Sequence, residues 1–278
     1  DVVDRGGVAP IHALASRGNV EGLTLLLDKG ASIDLASAQG ETALHAAAQA
    51  GRVEAVRLLI ARKANLERAN SYGRTPLVLA AREMGGIQVI RALLTAGANV
   101  AASDKFGDTA LTLAAWRGSE DVVDLLLAFK SPLPSGPQAV EVLDSAIAKG
   151  LTLLFNILAD DKVDYGRQLG FGRTFMHSAA EGGSVPIIEA LAKRGLDTAR
   201  ADTFGWTPLH VAADYGRAEA VRWLLAHGAA IDARTTMGQT AYNIADDNAD
   251  SATKAVLAGK GADTAAPRFP DLRGPYLG

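Results

Sequence analysis

The stretch Asp202-Thr203-Phe204-Gly205-Trp206-Thr207-Pro208-Leu209-His210-Val211-Ala212-Ala213-Asp214-Tyr215-Gly216 decides how the chain is read. Thr207 is suited to cap a helix, and Pro208 fits the first helical turn, where no amide donor is needed. Leu209 and the Ala212-Ala213 pair allow close helix packing, and Gly216 supplies a left-handed helix end. The same pattern starts at Thr42-Ala43-Leu44-His45, Thr75-Pro76-Leu77, Thr109-Ala110-Leu111 and Thr240-Ala241. The steps between Thr42, Thr75, Thr109, Thr207 and Thr240 are 33, 34, 98 and 33 residues. The long step hides Thr174-Phe175-Met176-His177, 33 residues before Thr207, and a worn copy near Glu141. A period in this range means a solenoid whose units cannot bury their apolar faces alone.

The repeat, Asp-x-x-Gly-x-Thr-Pro-Leu-His-x-Ala-Ala-x-x-Gly, resembles that of the ankyrin family over residues 1–263, with seven of eight copies in register. The resemblance implies an all-α ankyrin-repeat solenoid of about eight helix-turn-helix units with β-hairpin tips. The units start at Ala9, Thr42, Thr75, Thr109, Glu141, Thr174, Thr207 and Thr240. Gly51, Gly118, Gly150 and Gly216 are read as ends of first helices. Leu58-Leu59, Leu93-Leu94, Leu125-Leu126-Leu127 and Leu224-Leu225 form the apolar side of second helices. The Thr75 unit carries one extra residue around Gly85-Gly86.

The Glu141 unit lacks the Thr-Pro-Leu-His start and follows Ser131-Pro132-Leu133-Pro134-Ser135-Gly136-Pro137. That stretch is expected to be a stiff loop in place of the usual hairpin. The chain is therefore divided into a front block at 1–130 (four repeats), a Pro-rich break and degenerate repeat at 131–165, a back block at 166–263 (three repeats) and an extended tail or linker at 264–278.

The 278 residues carry a net charge of −3 and a pI near 6.0, so no general electrostatic pull on nucleic acid is expected. The chain has no cysteine, which removes disulfides, thiolate zinc sites and thiol nucleophiles together. No apolar run approaches the ~18 residues that span a bilayer. In register, Asp1-Val2-Val3-Asp4-Arg5-Gly6-Gly7 matches Asp232–Gly238, and Ile11, Leu14, Leu23 and Leu26 look interior. A further repeat or a different cap is therefore expected before Asp1. The tail at 264–278 is expected to be a hook held by a second contact. Its segment Phe269–Gly278 resembles one found in exported bacterial proteins ahead of TolB-like propeller regions. This resemblance implies export to the periplasm or outside the cell, and perhaps a longer chain.

No enzyme is expected in these residues, nor any cofactor or metal. His12, His45, His177 and His210 recur at one position per repeat, about 10 Å apart by helix packing, too far to share a metal at ~2 Å bonds. They are read as buried residues bonding their own helix–loop junctions. His227, before Gly228, suits a helix C-terminus. Asp160-Asp161 and Asp246-Asp247 are carboxylate pairs at unit edges, read as solvated turns. No phosphate loop and no Gly-x-Ser-x-Gly elbow is present.

The resemblance also implies a concave face built from hairpin tips and the exposed side of the first helices. Those positions lie three and one residues before the helix-starting Thr, and seven and eight after it. Of the chain's 15 aromatic residues (three Trp, five Tyr, seven Phe), seven fall there: Tyr72, Phe106, Trp116, Phe171, Phe204, Trp206 and Tyr215. Solvated tips gain nothing from an exposed ring, whereas interfaces draw on aromatic and arginine anchors. With Arg74, Arg82, Arg117 and Arg173 they form the expected contact set for a protein partner, within a larger complex and in a scaffold, adaptor or accessory role. Trp223, Phe155, Phe175 and Tyr242 sit at core-like positions. The alternative is the repeat region of a longer exported bacterial enzyme or sensor whose chemistry lies outside this chain.

Overall fold

Among the described residues the fold is built from eight short helix pairs, each too small to bury its apolar stripe alone. The computed structural model describes residues 3–83, 86–159 and 163–265. The first helices of the pairs are α1 (Pro10–Arg17), α3 (Ala43–Gln49), α5 (Pro76–Arg82), α7 (Ala110–Arg117), α9 (Gly136–Ala148), α11 (Phe175–Gly182), α13 (Pro208–Asp214) and α15 (Ala241–Asp247). The second helices are α2 (Val20–Asp28), α4 (Val53–Ala61), α6 (Gly86–Thr95), α8 (Glu120–Ala128), α10 (Thr152–Leu158), α12 (Val185–Lys193), α14 (Ala218–Ala226) and α16 (Ser251–Gly259). The chain forms two compact units, Asp1–Ser135 and Gly136–Gly278. Each unit is a stack of four pairs, with first helix on first helix and second helix on second helix.

Local chemistry sets the helix ends. Thr42, Thr75, Thr109 and Thr240 accept a hydrogen bond from the third residue of their helices. Gly51, Gly118, Gly150 and Gly216 all adopt positive φ. Gly182 serves a different need, since a Cβ there would stand 2.6 Å from the Ile147 carbonyl oxygen and hold α11 off α9.

The tips are tight hairpin turns rather than extended ribbons. One backbone bridge, Ser103 with Thr109, is formed among the described residues. The Asp202 amide donates to the Trp206 carbonyl (2.8 Å) and the Thr203 amide reaches back to the Phe171 carbonyl of the preceding tip (3.0 Å). The Lys105 amide meets the Tyr72 carbonyl in the same way (3.0 Å). Gly205 is obligatory in this stitching, because a Cβ would lie 2.8 Å from the Thr236 amide nitrogen of the next tip.

In the first unit Leu44, Leu59, Leu77, Ile90, Leu93, Leu111 and Leu126 are fully buried along the stack. In the second unit Phe155, Phe175, Ile187, Ile188, Leu209 and Leu224 fill one cluster. Full burial of such a side chain contributes about 1.5–3 kcal/mol, which only stacked neighbours can supply here.

The worn repeat departs from its expected start. Glu141 does not begin a helix: α9 already starts at Gly136 and runs 13 residues. Pro137 suits a first turn, and no Thr cap at 141 resets the helix there. The irregular backbone is confined to Ser131–Ser135, with no hairpin before α9. Asp160, Asp161, Gly85 and the tail segment Phe269–Gly278 lie outside the described residues.

Candidate partner-binding surface

Beneath the candidate surface, four histidines tie four of the repeats to the ones that follow them. In the Thr42, Thr174 and Thr207 units, the backbone amide of the Thr donates to Nδ1 of His45, His177 or His210 at 3.1 Å. The Thr Oγ1 lies 2.9 Å from the same nitrogen. An Nδ1 that accepts leaves Nε2 as the donor. It donates at 3.0 Å to a carbonyl of the following repeat: Arg74 for His45, Trp206 for His177 and Ala233 for His210. His12 does the same from the Ala9 unit, with Leu35 and Glu41 as its carbonyl partners. The histidines thus bond their own junction and also reach across to the next unit, which the repeat spacing did not disclose. With both ring nitrogens occupied, none is available to a metal. Burial lowers the pKa of His45 and His177, and brings His210 from 6.5 to about 4. Thr112 and Asn243 occupy the histidine position in their repeats and accept the same amide, at 3.0 Å in each case.

A second set of inter-repeat bonds caps the ends of the first helices. Arg52 Nε donates to the Ser16 carbonyl (3.0 Å), Arg117 Nη1 to Arg82 (2.8 Å), Arg217 Nε to Glu181 (2.8 Å) and Asn248 Nδ2 to Asp214 (3.0 Å). Each satisfies a carbonyl left open by the helix end. The repeated Gly51-Arg52 and Gly216-Arg217 pairs were the sequence signal for these residues.

In the first unit, Tyr72 and Phe106 stand on adjacent tips with rings open to solvent, Phe106 at 69 % exposure. Arg74 lies between them, its guanidinium carbon 5.0 Å from the Tyr72 ring centre and 6.0 Å from that of Phe106. Arg74 Nε meets Asp104 Oδ2 at 3.1 Å, and Asp104 is fully buried at its side chain. Arg74 is only 8 % exposed, so the contact role expected of it is revised. It holds two exposed rings in place and carries little free charge. Trp116, next to last in α7, is 36 % exposed, and Arg82 and Arg117 are exposed as well. Arg82 approaches Glu83 at 3.7 Å, a solvated pair of small energetic weight.

In the second unit, Phe171 is 66 % exposed and Phe204 half-buried, with ring centres 5.7 Å apart on adjacent tips. Phe171 holds a left-handed backbone at φ 59°. Trp206 is the second revision: at 4 % exposure it belongs to the core cluster. Trp206 packs inward over His210, with ring centres 6.2 Å apart, while Phe204 lies half-buried along the rim of the same cluster. Arg173 and Glu181 form a half-buried ion pair at 2.8 Å. Tyr215 closes α13 at 36 % exposure, next to Asp214. Burial raises the Asp214 carboxyl, as does the nearby Glu181 charge, while the Asn248 amide opposes the shift. Burial, with the nearby Glu181 charge, raises the Tyr215 hydroxyl too.

The residues expected in the core divide in two. Phe155 and Phe175 are fully buried, whereas Trp223 and Tyr242 lie half-buried along its edge. Trp223 stacks on His227 at 3.7 Å, and the His227 Nδ1 sits 2.7 Å from the Trp223 carbonyl at the end of α14. Asp246 is bridged to Lys254. No helix among the described residues is long and apolar enough to cross a membrane, and no described group of three or more His, Cys, Asp or Glu could hold a metal ion.

A family model described as ankyrin repeats in three copies matches residues 11–104, 66–133 and 143–235. Among solved structures, the crystal structure of the human ASB11 ankyrin repeat domain is similar over 91 % of this chain and 98 % of that one, at 20 % identity and a TM-score of 0.47. No curated protein matches the chain. The family matches extend over both units, and the chain belongs to the ankyrin-repeat family.

Proposed function

We propose that this chain is a non-catalytic binding module for a protein partner, serving as a scaffold, adaptor or accessory subunit. Ankyrin repeats are in general protein–protein interaction modules, so the question is which residues recognise. The observation that carries the reading is where the exposed aromatics fall. Among the described residues the exposed rings are Tyr72, Phe106, Trp116, Phe129, Phe171 and Tyr215. All except Phe129 occupy the tip position or the end of a first helix. An apolar ring left largely in water at a fixed register gains the fold little beyond its contacts along the tips, and desolvating it against a partner is worth ~2 kcal/mol or more at a hot spot.

In the first unit the contact set is Tyr72, Phe106 and Trp116, with Arg82 and Arg117 at the rim and Arg74 as internal support. In the second it is Phe171, Phe204 and Tyr215, with Arg173, and Trp206 supports the tip from within. The test is affinity capture from the native source with the chain as bait, beside a Trp116→Ala/Tyr215→Ala variant. A specific protein lost in the variant, with helix content unchanged by circular dichroism, is the expected result. Capture undiminished in the variant contradicts the assignment.

A further inference from the structure

Basic residues are concentrated in one band of the chain. Residues 51–100 hold eight of the 28 Lys and Arg but only three of the 31 Asp and Glu. Several of these charges are engaged inside the fold. Arg52 caps the Ser16 carbonyl, Arg62 bridges Asp28 at 2.7 Å and Arg74 bridges Asp104. On the acidic side, Glu83 approaches Arg82 and Glu67 accepts the Asn99 amide at 2.8 Å. Arg57 and Arg91 are exposed, and neither is held by a hydrogen bond or an ion pair among the described residues.

These two arginines stand 34 positions apart (91 − 57), at one register on the adjacent second helices α4 and α6. A groove of roughly 470 Å³ runs between them, lined also by Ile60, Ala61, Ala92 and Ala96 and by the polar Gln88 and Thr95. An outer helix face is ordinarily covered by long polar side chains. Here alanines leave a trough with an apolar floor and a guanidinium on each rim. The next second helix, α8, carries Glu120, Asp121 and Asp124, so the positive region is bounded on that side.

We propose that this groove is a docking site for an acidic segment of a partner protein, separate from the tip and first-helix surface described above. An aliphatic side chain of the segment rests on the alanine floor. Carboxylates on either side of it meet Arg57 and Arg91. Neighbouring helix axes lie about 8–10 Å apart, and residues two apart on an extended strand are separated by about 7 Å. Flexible arginines close the remaining distance, and guanidinium suits a carboxylate because its donors form two parallel hydrogen bonds.

The test uses the whole chain and a short fluorescent peptide of alternating glutamate and leucine, read by fluorescence anisotropy. Saturable binding that weakens at least tenfold in an Arg57→Glu/Arg91→Glu variant is expected, and the same loss is expected for Ala92→Glu, which fills the trough without touching either arginine. Binding should be kept by Trp116→Ala/Tyr215→Ala, which separates this site from the proposed partner surface. It should be absent for a lysine–leucine peptide and much weaker for a glutamate–serine one. No binding of the glutamate–leucine peptide, equal binding of the lysine peptide, or binding untouched by the variants would each overturn the proposal.

Discussion

The two units solve one packing problem with the same parts and then differ where the solution leaves them free. Both stack four helix pairs, and both use a Thr cap, an alanine-rich first helix and a leucine-lined second helix. They part at the seventh residue after the helix-starting position. In the first unit that row reads Gln49, Arg82, Trp116; in the second it reads Glu181, Asp214, Asp247. The tip position beside the cap differs as well, with buried Arg74 on Asp104 in one and buried Trp206 in the other. Positions that point into the stack are held by packing, while the row that points out is free to set charge. Packing and outward charge are thus written on different residues of the same thirty-odd.

The largest effect that would break this comparison sits at the tips. Trp206→Ala is expected to cost about 3–5 kcal/mol, as large buried aromatics do. Phe106→Ala, its exposed counterpart two positions from the equivalent site, should stay within about 0.5 kcal/mol. Urea unfolding of the whole chain measures both, and hydrogen exchange should locate the Trp206 damage in the second unit.

Acid sharpens the contrast next. His210 is neutral and buried, with its pKa brought from 6.5 to about 4. Below pH 6.5 the unfolded chain takes up a proton that the folded chain refuses. The stability is therefore whole above pH 6.5 and drains away down to about pH 4, by roughly 3 kcal/mol for this one group at ~1.4 kcal/mol per pH unit. His177 adds to the loss in the second unit, and His45 provides a like loss in the first. The raised carboxyls of Asp144 and Asp214 work the other way, because the folded state keeps their protons more readily as pH falls through their raised range. Hydrogen exchange followed from pH 7 to pH 5 should show protection in the second unit falling in the wild type and falling less in His210→Asn, with the Asp144 and Asp214 carboxyls of that unit offsetting part of the loss in both. Equal decline in wild type and variant would contradict the histidine account.

The histidine position offers a smaller and more specific test. Asn243 already accepts the amide of its own cap, so His210→Asn should keep that bond and lose only the reach to the Ala233 carbonyl. A cost of about 1–2 kcal/mol is expected, set by the carbonyl left without its donor. It should also flatten the acid slope of the second unit, a readout that mere loss of packing would not move. The smallest effect belongs to the outward row: Arg82→Glu, which gives the first unit the sign of the second, should change stability by less than about 0.5 kcal/mol by urea unfolding.

What was legible in the sequence follows the same division. Caps, glycine ends and the leucine runs are local, so the period disclosed the repeated pairs, and Leu59, Leu93, Leu94, Leu125, Leu126 and Leu224 of those runs are buried, while Leu58, Leu127 and Leu225 are half-buried. The sidedness of a tight turn was not legible, because Phe204 and Trp206 are two residues apart and only the neighbouring tip decides which one is covered. Arg74 read as free charge because its partner, Asp104, is 30 residues away and adjacent only through stacking. The start of α9 was misplaced since its signal, Pro137, was read as part of a loop. Of the expected contact set, the end-of-helix residues Trp116 and Tyr215 came from register alone and are exposed.

The most direct test of the central claim compares in-register and out-of-register rings. A photo-crosslinking amino acid would be placed at position 116, 215 or 129 of the whole chain and activated in the native source. The proposed recognition surface predicts a discrete protein crosslinked from 116 and 215 but not from 129, where an equally exposed phenylalanine lies off the register. Equal yields at all three positions, or a partner trapped only at 129, would contradict it.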